Sequence, residues 1–336
     1  MKVWLAALGA VTVLVAGCGG DGDGSKTLTV YSGREEELVE PLFQQFEQKT
    51  GIDVQVRYGD SAELAATIAE EGDNSPADVF FAQDPGSLGA VEQAGQLAEL
   101  PEEILERVPE RFRDPDGHWV GTSGRARVAV YNTDQLTAGD LPSSILGFTD
   151  ARWKGKIGFP PTNASFQAFV TALRLSRGNE DARAWLEGIK ANDPKLYEKN
   201  TPVVEAVAAG EIEVGFVNHY YLYLVLKEQP GAPIANHYFE AGDPGALVSV
   251  AGAAILEGAE HGEAARELVE FLLSDEGQRF YVEEAEEAEY PVVEGISPKE
   301  GLPSLGSLAG PSFQLDELGP ELEKTLELLN EVGFTG

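Results

Sequence analysis

Leu28-Thr29-Val30-Tyr31, Ile52-Asp53-Val54-Gln55-Val56-Arg57-Tyr58 and Val79-Phe80-Phe81 are three strand-like stretches separated by two helical ones, and that order decides the fold. The first ends in Ser32-Gly33-Arg34 and an acidic turn, Glu35-Glu36-Glu37, ahead of a helix whose apolar positions Leu38, Leu42, Phe43 and Phe46 share one face. Gly51 stops that helix, and Pro41 inside it predicts an irregular first turn or a kink. Asp60, with Glu63 three residues on, opens the second helix, and Pro76-Ala77-Asp78 leads into the third strand. A βαβαβ order implies a parallel, doubly wound sheet with its ligand crevice at the carboxyl ends of the strands. Those ends fall at residues 32–35, 58–61 and 82–86.

The same architecture returns further along the chain without visible repetition of sequence. Lys156-Ile157-Gly158-Phe159 reads as a strand before Pro160-Pro161-Thr162-Asn163-Ala164-Ser165 and a helix carrying Phe169, Leu173 and Leu175. Glu211-Ile212-Glu213-Val214-Gly215-Phe216-Val217 is another, ending at Asn218. Strand-like passages at residues 127–131 and 246–250, each flanked by Gly, join the two regions. Two connections between two α/β lobes predict a hinge with a cleft between them.

The whole chain has 336 residues, enough for two lobes with real cores. Its 43% apolar and 24% charged residues are near globular averages, which argues against wholesale disorder and against a polytopic membrane protein. Acidic residues number 57 against 24 Lys plus Arg, a formal net charge of −33, so a phosphate backbone is repelled and nucleic acid is excluded as a partner. Such charge suits a cationic ligand, although a solubilising surface accounts for most of it. Before the first strand, Lys2 precedes an apolar run over residues 3–17, too short to span a membrane and right for the core of a signal peptide. Leu14-Val15-Ala16-Gly17-Cys18 resembles the bacterial lipobox, in which the Cys becomes the lipidated first residue; a plain secretory signal with an incidental Cys is the alternative. Residues 1–17 are therefore expected to be a signal peptide and residues 18–25, Gly-rich and polar, a lipidated tether.

Asn218-His219-Tyr220-Tyr221 carries the most chemistry. A phenol titrates near pH 10, but its oxygen is a hard anionic donor once a trivalent cation displaces the proton. Two adjacent tyrosines at a strand end, with Asn218 placed to cap the following helix, could both reach one ion. Taken alone, Tyr220, Tyr221 and Tyr223 read more readily as aromatic packing than as ligands. His219 reads as a solvated loop histidine or as a support behind the tyrosines.

The ordered set Thr29-Val30-Tyr31-Ser32-Gly33, Ser75-Pro76-Ala77-Asp78-Val79-Phe80, Ser123-Gly124-Arg125-Ala126-Arg127-Val128, Trp153-Lys154-Gly155-Lys156-Ile157-Gly158, Asn218-His219-Tyr220-Tyr221, Asp243-Pro244-Gly245-Ala246-Leu247-Val248 and Ala288-Glu289-Tyr290-Pro291 resembles the bacterial ferric-ion-binding proteins, the substrate-binding components of ABC iron transporters. The resemblance covers essentially the whole mature chain. It implies an α/β, two-lobed periplasmic-binding-protein fold of type II (a Venus flytrap) with hinge strands between the lobes, one formed by residues 26–126 plus 250–305 and the other by 127–249 plus 306–336. It further implies bound Fe(III), often with a synergistic anion, a permease as partner, and a monomer held to the membrane by its lipid alone. The place implied is extracytoplasmic, the periplasm or the outer face of the cell membrane.

Carried over residue by residue, the family's paired tyrosine ligands fall on Tyr220 and Tyr221, its His ligand on Glu35 and its Glu ligand on Gln83. Where some relatives place a third tyrosine, this chain has Asn163-Ala164-Ser165, which with the free amides of a helix start suits an anion. Asn200 and Asn218 fall on anion-contacting positions and Arg125 on the family's Arg near the hinge, though hinge ion-pairing would also explain Arg125 and Arg127. Asp84 replaces a neutral anion-contacting residue, which favours carbonate over phosphate and leaves open whether Glu35, Gln83 or Asp84 ligates the metal. The rival readings are a receptor for another small solute, such as an oxyanion, thiamine or a polyamine, and a secreted hydrolase. Gly59-Asp60-Ser61 is the hydrolase's best motif and reads better as a helix cap; the four histidines lack zinc spacing. No enzymatic activity is expected.

Overall fold

The computed structural model describes residues 27–283 and 288–335; Cys18, the signal segment and the tether lie outside them. The first unit follows the βαβαβ reading closely. Strand β1 (Thr27–Ser32) leads into α1 (Glu36–Thr50), β2 (Asp53–Tyr58), α2 (Ser61–Glu71), β3 (Val79–Ala82) and α3 (Pro85–Gln93). β1 pairs in parallel with both β2 and β3. Helix α1 buries Val39, Leu42, Phe43 and Phe46 against this sheet, and Pro41 is accommodated in an unbroken helix near its N-terminal end. Gly51 terminates it in the left-handed conformation (φ 73°), which suits a residue with no Cβ. Asp60 caps α2, its carboxylate accepting from the N–H groups of Ala62 and Glu63.

After a short helix α4 (Glu102–Leu105), the chain enters β4, Val120–Asn132, the strand on which both halves of the molecule are built. The reading at residues 127–131 covered only its second half. Residues 120–126 were not legible as strand because Gly121, Thr122, Ser123 and Gly124 carry little apolar pattern, yet every residue of β4 is buried. Small side chains are required here: a Cβ on Gly121 would lie 2.7 Å from the carbonyl oxygen of Phe112.

The second unit comprises β5 (Ile157–Phe159), α5 (Ala164–Arg177), α6 (Asn179–Ala191), β6 (Lys195–Leu196), α7 (Asn200–Ala208), β7 (Val214–Asn218), α8 (Tyr221–Glu228) and β8 (Ile234–His237). Strand β9 (Val248–Ile255) then returns to the first unit, starting and ending later than the 246–250 reading, and is followed by α9 (Gly262–Leu272), α10 (Asp275–Glu283), β10 (Tyr290–Pro291) and α11 (Leu322–Val332). The strand order is β2-β1-β3-β9-β4-β7-β5-β6, with β10 and β8 also pairing β4. Along β4, Gly121 to Ala126 pair with β9, whereas Arg127 to Tyr131 pair with β7. The strand therefore changes sheets between Ala126 and Arg127, and the Arg127 N–H donates to the carbonyl of Leu247 just before β9 begins. This is the two-lobed, type II arrangement that the resemblance implied, with β4 and the start of β9 as crossings.

An aromatic core fills the second lobe. Phe159 stacks on Phe166 at 4.5 Å, and Phe216, Phe169 and Trp185 close the cluster. The C-terminal helix α11 packs on α5 and α6, while the segment just before it, at Leu315–Leu318, packs chiefly on α3 of the first lobe. The chain from Leu315 to Val332 thus touches both lobes.

Candidate functional site

The loops that follow β1, β2 and β3 are locked to each other. Gly33 donates its N–H to the carbonyl of Phe81 at 2.8 Å, Gly59 to that of Ser32 at 3.1 Å, and Gln83 to the Ser61 hydroxyl at 2.9 Å. A Cβ on Gly33 would sit 1.9 Å from that same hydroxyl oxygen, so only glycine permits the approach. This platform holds Glu35 at the start of α1, exposed and making no capping bond, and Gln83 at the end of β3. Asp84 is committed elsewhere: it caps α3, one oxygen accepting from the Ser87 N–H and the other from the Ser87 hydroxyl, each at 2.9 Å.

On the other lobe, Tyr220 and Tyr221 stand at the junction of β7 and α8 with ring centroids 4.3 Å apart. Tyr220 is buried and Tyr221 half-buried. Asn218 does not cap α8, whose N-cap is Tyr220 itself; register places Asn218 opposite Arg127 on β4, and its side-chain oxygen accepts from the Arg127 guanidinium at 3.2 Å. His219 is fully buried, not a solvated loop residue. Its Nδ1 accepts from the Ala126 N–H at 3.2 Å, its own N–H donates to the Ala126 carbonyl at 2.9 Å, and Nε2 donates to the carbonyl of Ala288 at 3.0 Å. Burial pushes the imidazole down to about 4, so it is neutral and braces the crossing point of β4.

The residues assigned to an anion form one connected group around Arg127. The Asn163 side-chain oxygen caps α5, accepting from the Ser165 N–H at 3.0 Å and the Ser165 hydroxyl at 2.6 Å, and also takes a bond from Asn200 at 3.1 Å. The Ser165 oxygen in turn accepts from Arg127 at 3.2 Å. Arg127 lies over Phe166 and Phe169, at 6.0 and 5.7 Å from their centroids. Burial pushes it down to about 9, still charged at neutral pH, while negative charge on Tyr221 and Tyr220 would push it up; the coupling is mutual, so Arg127 favours both phenolates. One guanidinium nitrogen of Arg127 and the side-chain oxygen of Asn200 are buried without a partner among the described residues.

Arg125 is placed differently. It binds the carbonyl of Gln83 and lies 3.7 Å from Glu289, which also forms a two-pronged pair with Arg34 at 3.0 and 3.1 Å. Arg125 is thus a strut of the first lobe, in line with the hinge ion-pairing alternative. Sequence reasoning passed over Arg127 as an anion partner and Glu289 as a charge centre. Register on β4 identifies the first only once β7 is known to pair there; the second stood inside the Ala288-Glu289-Tyr290-Pro291 motif, but its partner Arg34 is 255 positions away.

Residues 74–304 match the family of bacterial extracellular solute-binding proteins. The major ferric iron-binding protein of Neisseria meningitidis serogroup B is 33% identical over 91% of this chain and 93% of its own length. The Fe(3+)-binding periplasmic protein of Serratia marcescens is 31% identical over 99% of this chain and its full length. Among solved structures, iron-bound HitA from Pseudomonas aeruginosa superposes with a TM-score of 0.84 at 37% identity, covering 92% of this chain and 99% of that one. The Trichodesmium protein IdiA (FutA), in complex with iron and citrate ligands, gives 0.81 at 29% identity, covering 92% of this chain and the whole of that one. The two lobes crossed by β4 are therefore those of a receptor fold, and the chain belongs to the bacterial extracellular solute-binding protein family.

Proposed function

We propose that the protein is an extracytoplasmic receptor for Fe(III) that closes its lobes on the ion and presents the closed form to an ABC transporter permease. The observation that carries this reading is the adjacent pair Tyr220 and Tyr221 beside the buried cation of Arg127. Two phenolates are hard ligands for a hard ion, and their cost of ionisation falls next to a fixed positive charge. Relatives named for ferric iron across most of the chain support the same choice. Chelator competition tests it: iron-stripped protein should take up one Fe(III) per chain, whereas thiamine, polyamines and phosphate offered without iron should not bind.

In this reading Tyr220 and Tyr221 hold the ion on one lobe, and closure brings Glu35 and Gln83 to it from the other, residues 26–126 plus 250–305 turning against 127–249 plus 306–336 about the crossing strands. Asp84, spent on its cap, is left out. Two phenolates and one carboxylate leave a ferric ion short of its usual complement of donors, so a small anion, carbonate in preference to phosphate, completes the sphere. Its seat is Arg127 with Asn163, Ser165, Asn200 and Asn218; Arg125 acts behind it, holding the Gln83 loop. Arg127→Lys keeps the charge and loses the planar fork. Its iron affinity should fall about 10- to 100-fold, the range for groups just outside a metal's ligands, and should lose its dependence on added bicarbonate. An anion-independent wild type would sink the anion reading.

The lipid anchor is part of the same proposal. No helix among the described residues is long and apolar enough to cross a membrane. Cys18→Ser should move the protein from the membrane pellet to the supernatant; continued retention would refute lipidation at Cys18.

A further inference from the structure

We propose that Glu92, Asp114 and His118 form a second cation site, built for a divalent ion of the Zn²⁺ class and separate from the iron cleft. Glu92 sits in the last turn of α3, so its Cα lies roughly 10 Å along the helix axis from Pro85, which opens the helix just after the Gln83 loop. Asp114 and His118 belong to a hairpin that precedes β4. It is pinned by the Asp114 N–H to the Trp119 carbonyl at 3.0 Å, the Gly117 N–H to the Asp114 carbonyl at 3.2 Å and a bridge between Arg113 and Val120. The His118 N–H donates to Asp114 Oδ2 at 2.9 Å, fixing that oxygen beside the imidazole.

The three donor atoms converge from two elements. His118 Nδ1 lies 3.3 Å from Glu92 Oε1 and 3.3 Å from Asp114 Oδ2, and one atom of each residue lies within 4.8 Å of the other two. Bonds of about 2.0–2.1 Å in a tetrahedral site put ligand atoms roughly 3.3–3.4 Å apart, so the imidazole edges already have that spacing. Two carboxylates and an imidazole, with a position left for water, suit a borderline divalent ion such as Zn²⁺.

The surroundings need positive charge. Glu92 and Asp114 bring two carboxylates to one imidazole, and Asp116 adds a third in the same hairpin. Asp316 adds a fourth carboxylate whose charge couples to Asp114; one of its oxygens is buried without a partner among the described residues. The carboxyl-terminal dipole of α3 adds negative potential at Glu92. A protonated His118 would answer the same carboxylates as a plain ion pair, and the experiment separates the two.

Untagged protein with its cleft filled by iron is dialysed against Zn²⁺ and the bound zinc is counted. One zinc per chain is expected, together with a rise in unfolding temperature. Glu92→Gln and His118→Gln should each weaken zinc at least about tenfold while leaving iron binding unchanged. Either variant suffices if the other fails to fold, which circular dichroism without zinc reports. No bound zinc, or zinc bound equally by both variants and wild type, would show that the cluster is only a histidine–carboxylate ion pair.

Discussion

Tyr221→Phe, and equally Tyr220→Phe, is expected to reduce Fe(III) affinity by more than about 100-fold while leaving the fold intact. Loss of a group that merely orients a metal ligand costs about 10–100-fold, so loss of a ligand itself should exceed that. The substitution removes one oxygen from each ring and keeps the 4.3 Å packing between them, which is why stability should hardly change. The two variants should not be additive, because either loss leaves the ion with one phenolate and an open sphere. Chelator competition gives the affinity, and thermal melting followed by circular dichroism shows whether the protein is folded. Near-normal iron uptake by both variants would reassign the pair to aromatic packing.

Glu289→Gln is expected to be the most destabilising conservative change in the first lobe. Glu289 is 1% exposed and serves two buried cations, Arg34 through two bonds and Arg125 at 3.7 Å. Removing its charge leaves both guanidinium groups buried without compensation, a loss on the order of 3–5 kcal/mol. The pH dependence follows from the same geometry. Burial alone would raise the carboxyl, but Arg34 and Arg125 outweigh it and hold the group below the usual carboxylate range. A carboxylate depressed in the folded state stabilises fully above its unfolded value, near pH 4.3, and the benefit is lost as pH falls through the folded value. Wild type should therefore lose stability in acid more steeply than Glu289→Gln, with the two curves converging at low pH. Urea titrations at pH 7 and pH 3 measure both effects, and parallel curves would contradict the ion network.

Much of this was legible before any coordinates. The first lobe shows in the sequence because β3 is an apolar run buried on both faces, β1 buries Leu28 and Val30 in alternation with half-buried threonines, and α1 carries its core residues at helical spacing, so local pattern and tertiary position agree. β4 was half missed because Gly121, Thr122, Ser123 and Gly124 in its first half are small and carry little apolar pattern, and are buried by neighbouring strands and not by their own hydrophobicity. His219 looked like a solvated loop residue; it is buried because the backbone groups of Ala126 and Ala288 satisfy both ring nitrogens, partners that no sequence window contains. The tyrosine pair was visible as a motif, Asn163 and Ser165 as a helix start suited to an anion, and Asn200 and Asn218 through the resemblance. What neither supplied was the cation at its centre. Arg125 and Arg127 lie two residues apart on one strand, and which of them serves the cleft depends on where β4 leaves one sheet for the other.

The central claim is that ferric iron is held by phenolate oxygens, and the visible spectrum tests it most directly. Titrating Fe(III) into iron-stripped wild-type protein in bicarbonate buffer should produce a tyrosinate-to-iron charge-transfer band that saturates at one ion per chain. The band should fail to appear, or shift with weakened binding, in Tyr220→Phe and Tyr221→Phe. Iron bound stoichiometrically with no such band, or with the same band in both variants, would contradict the account.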